Sequence, residues 1–183
     1  GDILDALEES GQASNTIVVF TSEHGDMMGD HGFFEKSVMY EEAARVPLLI
    51  SVPWLSDGQQ HVGGSQRING AISQIDLVPT LLELLGEAIP DGLEGESRVS
   101  VLRGEDDLAD NDVIIEWNGS DARPIRFFEG GVPKERWEKV RGNWRTIVGG
   151  GRWKLNLSTV DQCELYDLHN DPYEAHNCFN DPA

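Results

Sequence analysis

The chain has 183 residues, 39% of them hydrophobic, and a formal net charge of −19 at pH 7. That hydrophobic share builds a core and argues against a disordered chain, while the acidity argues against a nucleic-acid binder, which needs a basic stripe to meet phosphates. No apolar run approaches the ~18 residues of a membrane span, and any anion handled by so acidic a chain needs a local positive site, a metal or a specific Lys or Arg.

Residues 2–10, D-I-L-D-A-L-E-E-S, place Ile3, Leu4 and Leu7 on one helical face, and Gly11 supplies a stop. No signal peptide is read in these residues, which says little, because Gly1 runs straight into helical pattern and does not look like a natural beginning. Ile17, Val18, Val19 and Phe20 then read as a short buried strand. A helix followed by a strand predicts a parallel α/β unit, in which further sheet precedes the helix. The loop that leaves the strand packs Glu23, His24, Asp26, Asp30 and His31 among Gly25, Gly29 and Gly32. In open α/β sheets, sites form in the loops at the carboxyl ends of strands.

Residues 33–44 read as a helix ended by Arg45-Val46-Pro47, because the residue before a proline avoids the helical region. Leu48–Val52 is a second buried strand, and residues 56–66 read as a glycine-containing surface loop. Ser73–Leu85 carries the strongest helical pattern, capped by Ser73, closed by Gly86 and apolar enough to be well buried. Pro79, inside that helix, predicts a kink or a turn of different geometry before the proline. Residues 86–111 look like a surface connection, and we place a boundary near 103–111, giving units 1–105 and 106–183. From Asp112 onward, short β-like runs (113–117, 145–148, 153–157, 164–168) alternate with turn signals such as Gly149-Gly150-Gly151 and Asn170-Asp171-Pro172. They predict a small antiparallel sheet with one helix near 134–140. No internal repeat is present.

Glu23 and His24 are neighbours whose side chains diverge on a strand but converge on a tight loop, which Gly25 permits. A carboxylate oxygen beside an imidazole nitrogen suits a divalent cation such as calcium, magnesium or manganese. Two ligands do not complete a site; Asp26 and Asp30 are candidates to add to them, against the ordinary alternative that charged loop residues are solvated. Lys36 is a candidate anion contact as a point charge, although an ordinary surface lysine is the stronger reading, and His31 has the same ambiguity. Arg45 reads as structural. Cys163 and Cys178 have no C-x-x-C spacing and either close one disulfide or stay free. Asn118-Gly119-Ser120 and Asn156-Leu157-Ser158 fit the glycosylation pattern, which is frequent by chance.

Taken together, T-I-V-V-F-T-S-E-H-G-D-M-M-G-D-H-G-F-F-E-K, Y-E-E-A-A-R-V-P-L-L-I, Q-I-D-L-V-P-T-L-L-E-L-L-G, W-K-L and E-L-Y-D-L-H-N-D-P-Y-E-A-H-N resemble the C-terminal portion of a type I sulfatase, of the alkaline phosphatase-like superfamily. The resemblance follows order and spacing along nearly the whole chain. It implies part of an α/β sheet flanked by helices, plus a small C-terminal subdomain of four antiparallel strands and a helix. It implies a divalent cation, usually calcium, with Glu23 and His24 as metal ligands and Lys36 as the contact to sulfate oxygens. Glu23 departs from the family's usual Asp by one methylene. It also implies a formylglycine nucleophile from a C-x-P-S-R-like motif, which neither cysteine occupies, so this chain alone is expected to be inactive. The implied substrate is a sulfate ester of a sugar or small molecule, the implied location periplasmic or secreted. No nucleic-acid or membrane partner is expected, and an exposed sheet edge would allow self-association. The alternatives are a phosphonate or phosphate ester hydrolase of the same superfamily, or a non-catalytic metal- or glycan-binding module.

Overall fold

The structure, a computed structural model, describes residues 1–55, 66–119 and 134–182, so the expected loop at 56–66 lies almost wholly outside the described residues. The chain divides into two compact units, Gly1–His24 with Val46–Arg67 and Gly25–Arg45 with Ile68–Ala183.

The first unit opens with helix α1, Asp2–Glu9, which ends before Gly11, a residue at a φ of 71° that only glycine adopts readily. Strand β1, Val18–Thr21, pairs with β2, Leu48–Ser51, from Val18 opposite Ser51 to Thr21 opposite Leu48. The pairing is antiparallel, whereas the parallel unit expected from the sequence concerns sheet that would precede α1. The connection here holds only the four-residue helix α2, Glu41–Ala44. Neither strand is fully buried: Phe20 and Leu49 are exposed, as are Ile3 and Leu4 of α1. One helix and two strands display more apolar surface than they can cover themselves.

The second unit begins with the segment from Gly25 to Arg45. Residues 33–40, expected to be helical, are not. Val38, Met39 and Tyr40 are all buried, and three consecutive side chains cannot share one helical face. Glu35 sits at a φ of 63°, and its carbonyl accepts the Met27 N–H at 2.8 Å, pulling the segment back on itself.

Helix α3, Leu77–Leu84, follows a 3-10 turn at Gln74–Asp76. That 3-10 turn is the change of geometry expected before Pro79, which itself occupies the first turn of α3, where its missing N–H would have no partner in any case. Ser73 stands at the N-terminal boundary of the turn but makes no side-chain cap bond. Gly86, at a φ of 73°, closes the helix while the Glu87 N–H reaches back to the Leu82 carbonyl at 2.9 Å. Pro79, Thr80 and Leu84 are buried, whereas Ile75, Val78 and Leu85 are exposed, so the helix is less buried than its composition suggests. Below it, buried Asp76 accepts from Arg98 Nε at 2.8 Å and from the Glu96 N–H at 2.9 Å. Arg98 in turn donates to Asn111 Oδ1 at 2.9 Å, which ties α3 to the chain beyond α4, Val99–Leu102.

Four strands, β3 (Val113–Asn118), β4 (Asn143–Gly149), β5 (Trp153–Ser158) and β6 (Glu164–Asp167), form an antiparallel sheet in that order, with helix α5 at Lys134–Arg141 before β4. The turn between β4 and β5 places Gly150 and Gly151 at φ values of 53° and 61°, the requirement of a tight hairpin. On β5 the faces are the reverse of what hydrophobicity suggests. Lys154 and Asn156 point inward, while Trp153 and Leu157 remain substantially exposed. Among the described residues no helix is long and apolar enough to cross a membrane.

Candidate metal and anion site

Glu23 and His24 leave the end of β1 in the first unit. The Ser22 hydroxyl folds this corner: it donates to the His24 carbonyl at 2.7 Å and lies 3.3 Å from Glu23 Oε2. The corner turns the two neighbouring side chains toward each other, and His24 Nε2 stands 3.2 Å from Glu23 Oε1. The carboxylate is exposed and the imidazole half-buried. One hard oxygen and one imidazole nitrogen at the end of a strand are donor types that suit a divalent cation. The donor chemistry fits such an ion, with the remaining ligands to come from other residues.

His31 and Lys36 belong to the second unit. Gly25 opens their segment, and its role differs from the one expected. It is needed for space: a Cβ there would overlap the Glu42 carbonyl, and its own N–H donates to the Ala43 carbonyl at 2.8 Å. Asp26 is a turn-former, its Oδ1 accepting the Met28 N–H at 2.9 Å. Met28, His31 and Glu35 all adopt left-handed backbone, with φ values of 48°, 50° and 63°. Such conformations cost free energy and cluster at functional loops. The His31 ring stacks on Tyr40, with centroids 3.9 Å apart and planes within 2°. Lys36 is exposed and, among the described residues, has no ion-pair partner.

The segment rests on the small sheet. Met27, Val38, Tyr40 and Ala43 pack against Tyr166 of β6, with Phe33, Val140 and Leu168 around them. Beneath them runs a buried polar chain. Thr146 Oγ1 donates to Asn156 Oδ1 at 2.7 Å, and Asn156 Nδ2 donates to Glu164 Oε2 at 3.0 Å. Glu164 pairs closely with Lys139, whose Nζ donates to Tyr40 Oη at 2.7 Å. Burial works against the Lys139 charge, but Tyr40 and Glu164 beside it prevail and hold its pKa above the ordinary lysine value. Burial likewise raises the Tyr40 and Tyr166 hydroxyls, so both remain protonated donors.

A second buried cluster fastens helix α2. Lys154 Nζ, at 0% exposure, lies 2.9 Å from Glu174 Oε1 and 3.1 Å from Glu41 Oε1. Glu174 Oε2 also accepts the Glu41 backbone N–H at 2.6 Å, at the amino end of α2. Burial pushes Glu174 up to about 7 against the pull of Lys154 and of the Glu41 N–H, and the Glu41 carboxylate adds a smaller push in the same direction as burial. None of these residues was singled out from the sequence. The available signal was polar residues at alternating positions of a strand, which reads as a solvent face and is here the reverse.

Residues 29–183 match the family described as N-sulphoglucosamine sulphohydrolase, C-terminal. This chain belongs to the sulfatase family. What it matches in the sulfatases is their C-terminal part. It is 32% identical over 184 residues to an ulvan-active sulfatase of Formosa agariphila, covering 100% of this chain and 32% of that protein. Against arylsulfatase K of Xenopus laevis the identity is 37% over 185 residues, covering 97% of this chain and 30% of the relative. The chain thus spans about a third of the length of these sulfatases. Among solved structures, one in complex with its substrate D-glucosamine-2-N,6-O-disulfate superposes with a TM-score of 0.75 at 29% identity, covering 99% of this chain and 33% of that one. The phosphonate monoester hydrolase of Agrobacterium radiobacter superposes with a TM-score of 0.72 at 29% identity, covering 99% and 34%.

The remaining sequence candidates resolve simply. Cys163 and Cys178 are both free thiols. Asn156 is fully buried and bonded on both sides, so its glycosylation pattern is a chance match; Ser120 of the other pattern lies outside the described residues. Arg45 stands 3.9 Å from Glu41, an exposed contact of structural kind.

Proposed function

We propose that this chain is the rear third of an enzyme that hydrolyses sulfate esters, with Glu23 and His24 as ligands of a divalent cation, calcium in the first instance, and Lys36 as a contact to the sulfate. The observation that carries this reading is the convergence of the Glu23 carboxylate and the His24 imidazole at 3.2 Å where β1 ends. When bound, the cation would polarise the ester's anionic oxygens. The residues present here would do the rest of the positioning. Lys36, an exposed point charge without a partner among the described residues, can neutralise charge that develops on sulfate oxygens. His31, held flat against Tyr40, is the candidate donor of a proton to the leaving group. The nucleophile, expected to be a formylglycine, would come from the preceding part of the protein.

The relative named as ulvan-active and the structure holding a disulfated glucosamine favour a sulfated sugar as substrate. The exposed Ile3, Leu4, Phe20 and Leu49 are apolar surface that the remaining two thirds of such an enzyme would cover. A periplasmic or secreted location accords with a polymeric sulfated substrate.

The test is Lys36→Ala in the full-length protein, with kcat/KM measured on a sulfate ester and on a phosphonate monoester. Loss of one preorganised charge at the reacting oxygens should lower kcat/KM on the sulfate ester roughly a hundredfold or more. Unchanged turnover would remove Lys36 from the site. Faster wild-type turnover of the phosphonate than of the sulfate would move the assignment to the phosphonate hydrolases.

A further inference from the structure

Away from this site, three side chains of different ligand type meet at the C-terminal turn. His176, Cys178 and Asp181 place an imidazole nitrogen, a thiol sulfur and a carboxylate oxygen all within 4.8 Å of one another, with His176 Nε2 only 3.0 Å from Asp181 Oδ2. The geometry points to a second metal site here, one for a borderline transition ion such as Zn2+, with three protein ligands and an open fourth position.

The backbone beneath these side chains is fixed in advance. Asn177, between two of the ligands, bonds in three directions: its Oδ1 accepts the N–H groups of Leu165 at 3.0 Å and Phe179 at 2.9 Å, and its Nδ2 donates to the Cys163 carbonyl at 3.1 Å. Asp171 holds the near side of the turn through the His176 N–H at 2.8 Å. The Cys178 N–H donates to the Leu165 carbonyl of β6 at 2.8 Å, and the Asp181 N–H to the Cys178 carbonyl at 3.0 Å. Only side-chain rotation therefore remains to be paid in forming the site. Around a tetrahedral zinc, a nitrogen and a sulfur ligand stand about 3.6 Å apart, so closing the present spread, at most 4.8 Å, needs movements of about an ångström by side-chain rotation. His176 and Asp181 are exposed and Cys178 is partly so, which leaves the site open to metal from solution.

The donor set also separates this site from the one formed by Glu23 and His24. A thiolate and an imidazole select zinc-like ions over calcium and magnesium. On binding, the Cys178 S–H bond breaks, its proton goes to solvent, and a metal–sulfur bond forms.

The test uses Co2+ as a spectroscopic substitute for Zn2+, added to this chain under reducing conditions, with Cys178→Ser, His176→Ala and Cys163→Ser variants beside wild type. Wild type and Cys163→Ser should develop a near-ultraviolet thiolate-to-cobalt charge-transfer band that Zn2+ abolishes. Cys178→Ser should lack the band, and His176→Ala should bind Zn2+ roughly tenfold or more weakly. Calcium should leave the band unchanged. Circular dichroism of the variants, all at exposed or half-buried positions, confirms that they fold. Absence of the band in wild type at saturating Co2+, or its persistence in Cys178→Ser, would show that His176 and Asp181 are an ion pair and nothing more.

Discussion

Lys154→Met removes the one positive charge of the buried cluster beneath helix α2 while keeping a side chain of similar length to fill the space. In the native protein the ammonium sits 2.9 Å from Glu174 and 3.1 Å from Glu41, and Glu174 is itself only 2% exposed. Deleting one partner of a buried ion pair costs about 3–5 kcal/mol, since the other is left without compensation. That cost depends on pH. Glu174 holds its proton up to about 7 rather than the ordinary 4.5. A carboxyl whose folded pKa is raised contributes stability that is complete below about 4.5 and is lost as pH rises through its folded value. At about 1.4 kcal/mol for each tenfold change in proton affinity, the wild-type loss between those limits is roughly 3 kcal/mol. Without Lys154 the proton is held still more tightly, so the variant keeps losing stability above pH 7 where wild type levels off. Urea denaturation followed through tryptophan fluorescence, to which buried Trp144 of the same sheet contributes, should show Lys154→Met destabilised by about 4 kcal/mol at pH 8 and by clearly less at pH 5. A loss below about 1 kcal/mol at pH 8, or an equal loss at both values, would refute the assignment of a compensated buried charge.

Three further outcomes follow from the same contacts. Gly25→Ala drives a Cβ into the Glu42 carbonyl, and its cost should be about 2–4 kcal/mol in a denaturant titration; a neutral result would mean that the segment relaxes freely. Asp76→Asn removes the buried carboxylate from Arg98, mostly buried itself, and leaves it only the exposed Glu96 carboxylate at 3.4 Å and Asn111, so it should lower stability by about 3 kcal/mol, measured in the same way; little change would mean that those two contacts sustain Arg98. Tyr40→Phe breaks the 2.7 Å bond to Lys139 but keeps the ring under His31, so it should cost about 1 kcal/mol while full-length turnover on a sulfate ester stays near wild type.

The elements most legible in the sequence are those set by local chemistry. The four strands after Asp112 alternate and are punctuated by glycine and Asn-Asp-Pro turns, and all four stand within about two residues of their expected bounds. Helix α1 and the stop at Gly86 are equally local. Of the helix expected over 33–44 only Glu41–Ala44 forms, because the apolar residues before it are buried in succession by tertiary packing against Tyr166, which no periodicity records. The antiparallel pairing of β1 and β2 was illegible for a related reason: strand direction depends on the path of the intervening chain. On β5 the sequence W-K-L-N-L invites the opposite assignment of faces, because Lys154 and Asn156 are buried through partners 20 to more than 100 residues distant or on neighbouring strands. Glu23 and His24 stood out as adjacent metal-type donors after a strand, whereas their convergence needed the Ser22 corner, which no spacing rule supplies.

The central claim is that Glu23 and His24 share a cation, and calorimetric titration of the full-length protein with calcium tests it most directly, with Glu23→Ala and His24→Ala as controls. A binding isotherm in wild type that weakens roughly tenfold or more in each variant is the predicted result. The same heat from wild type and both variants would contradict it.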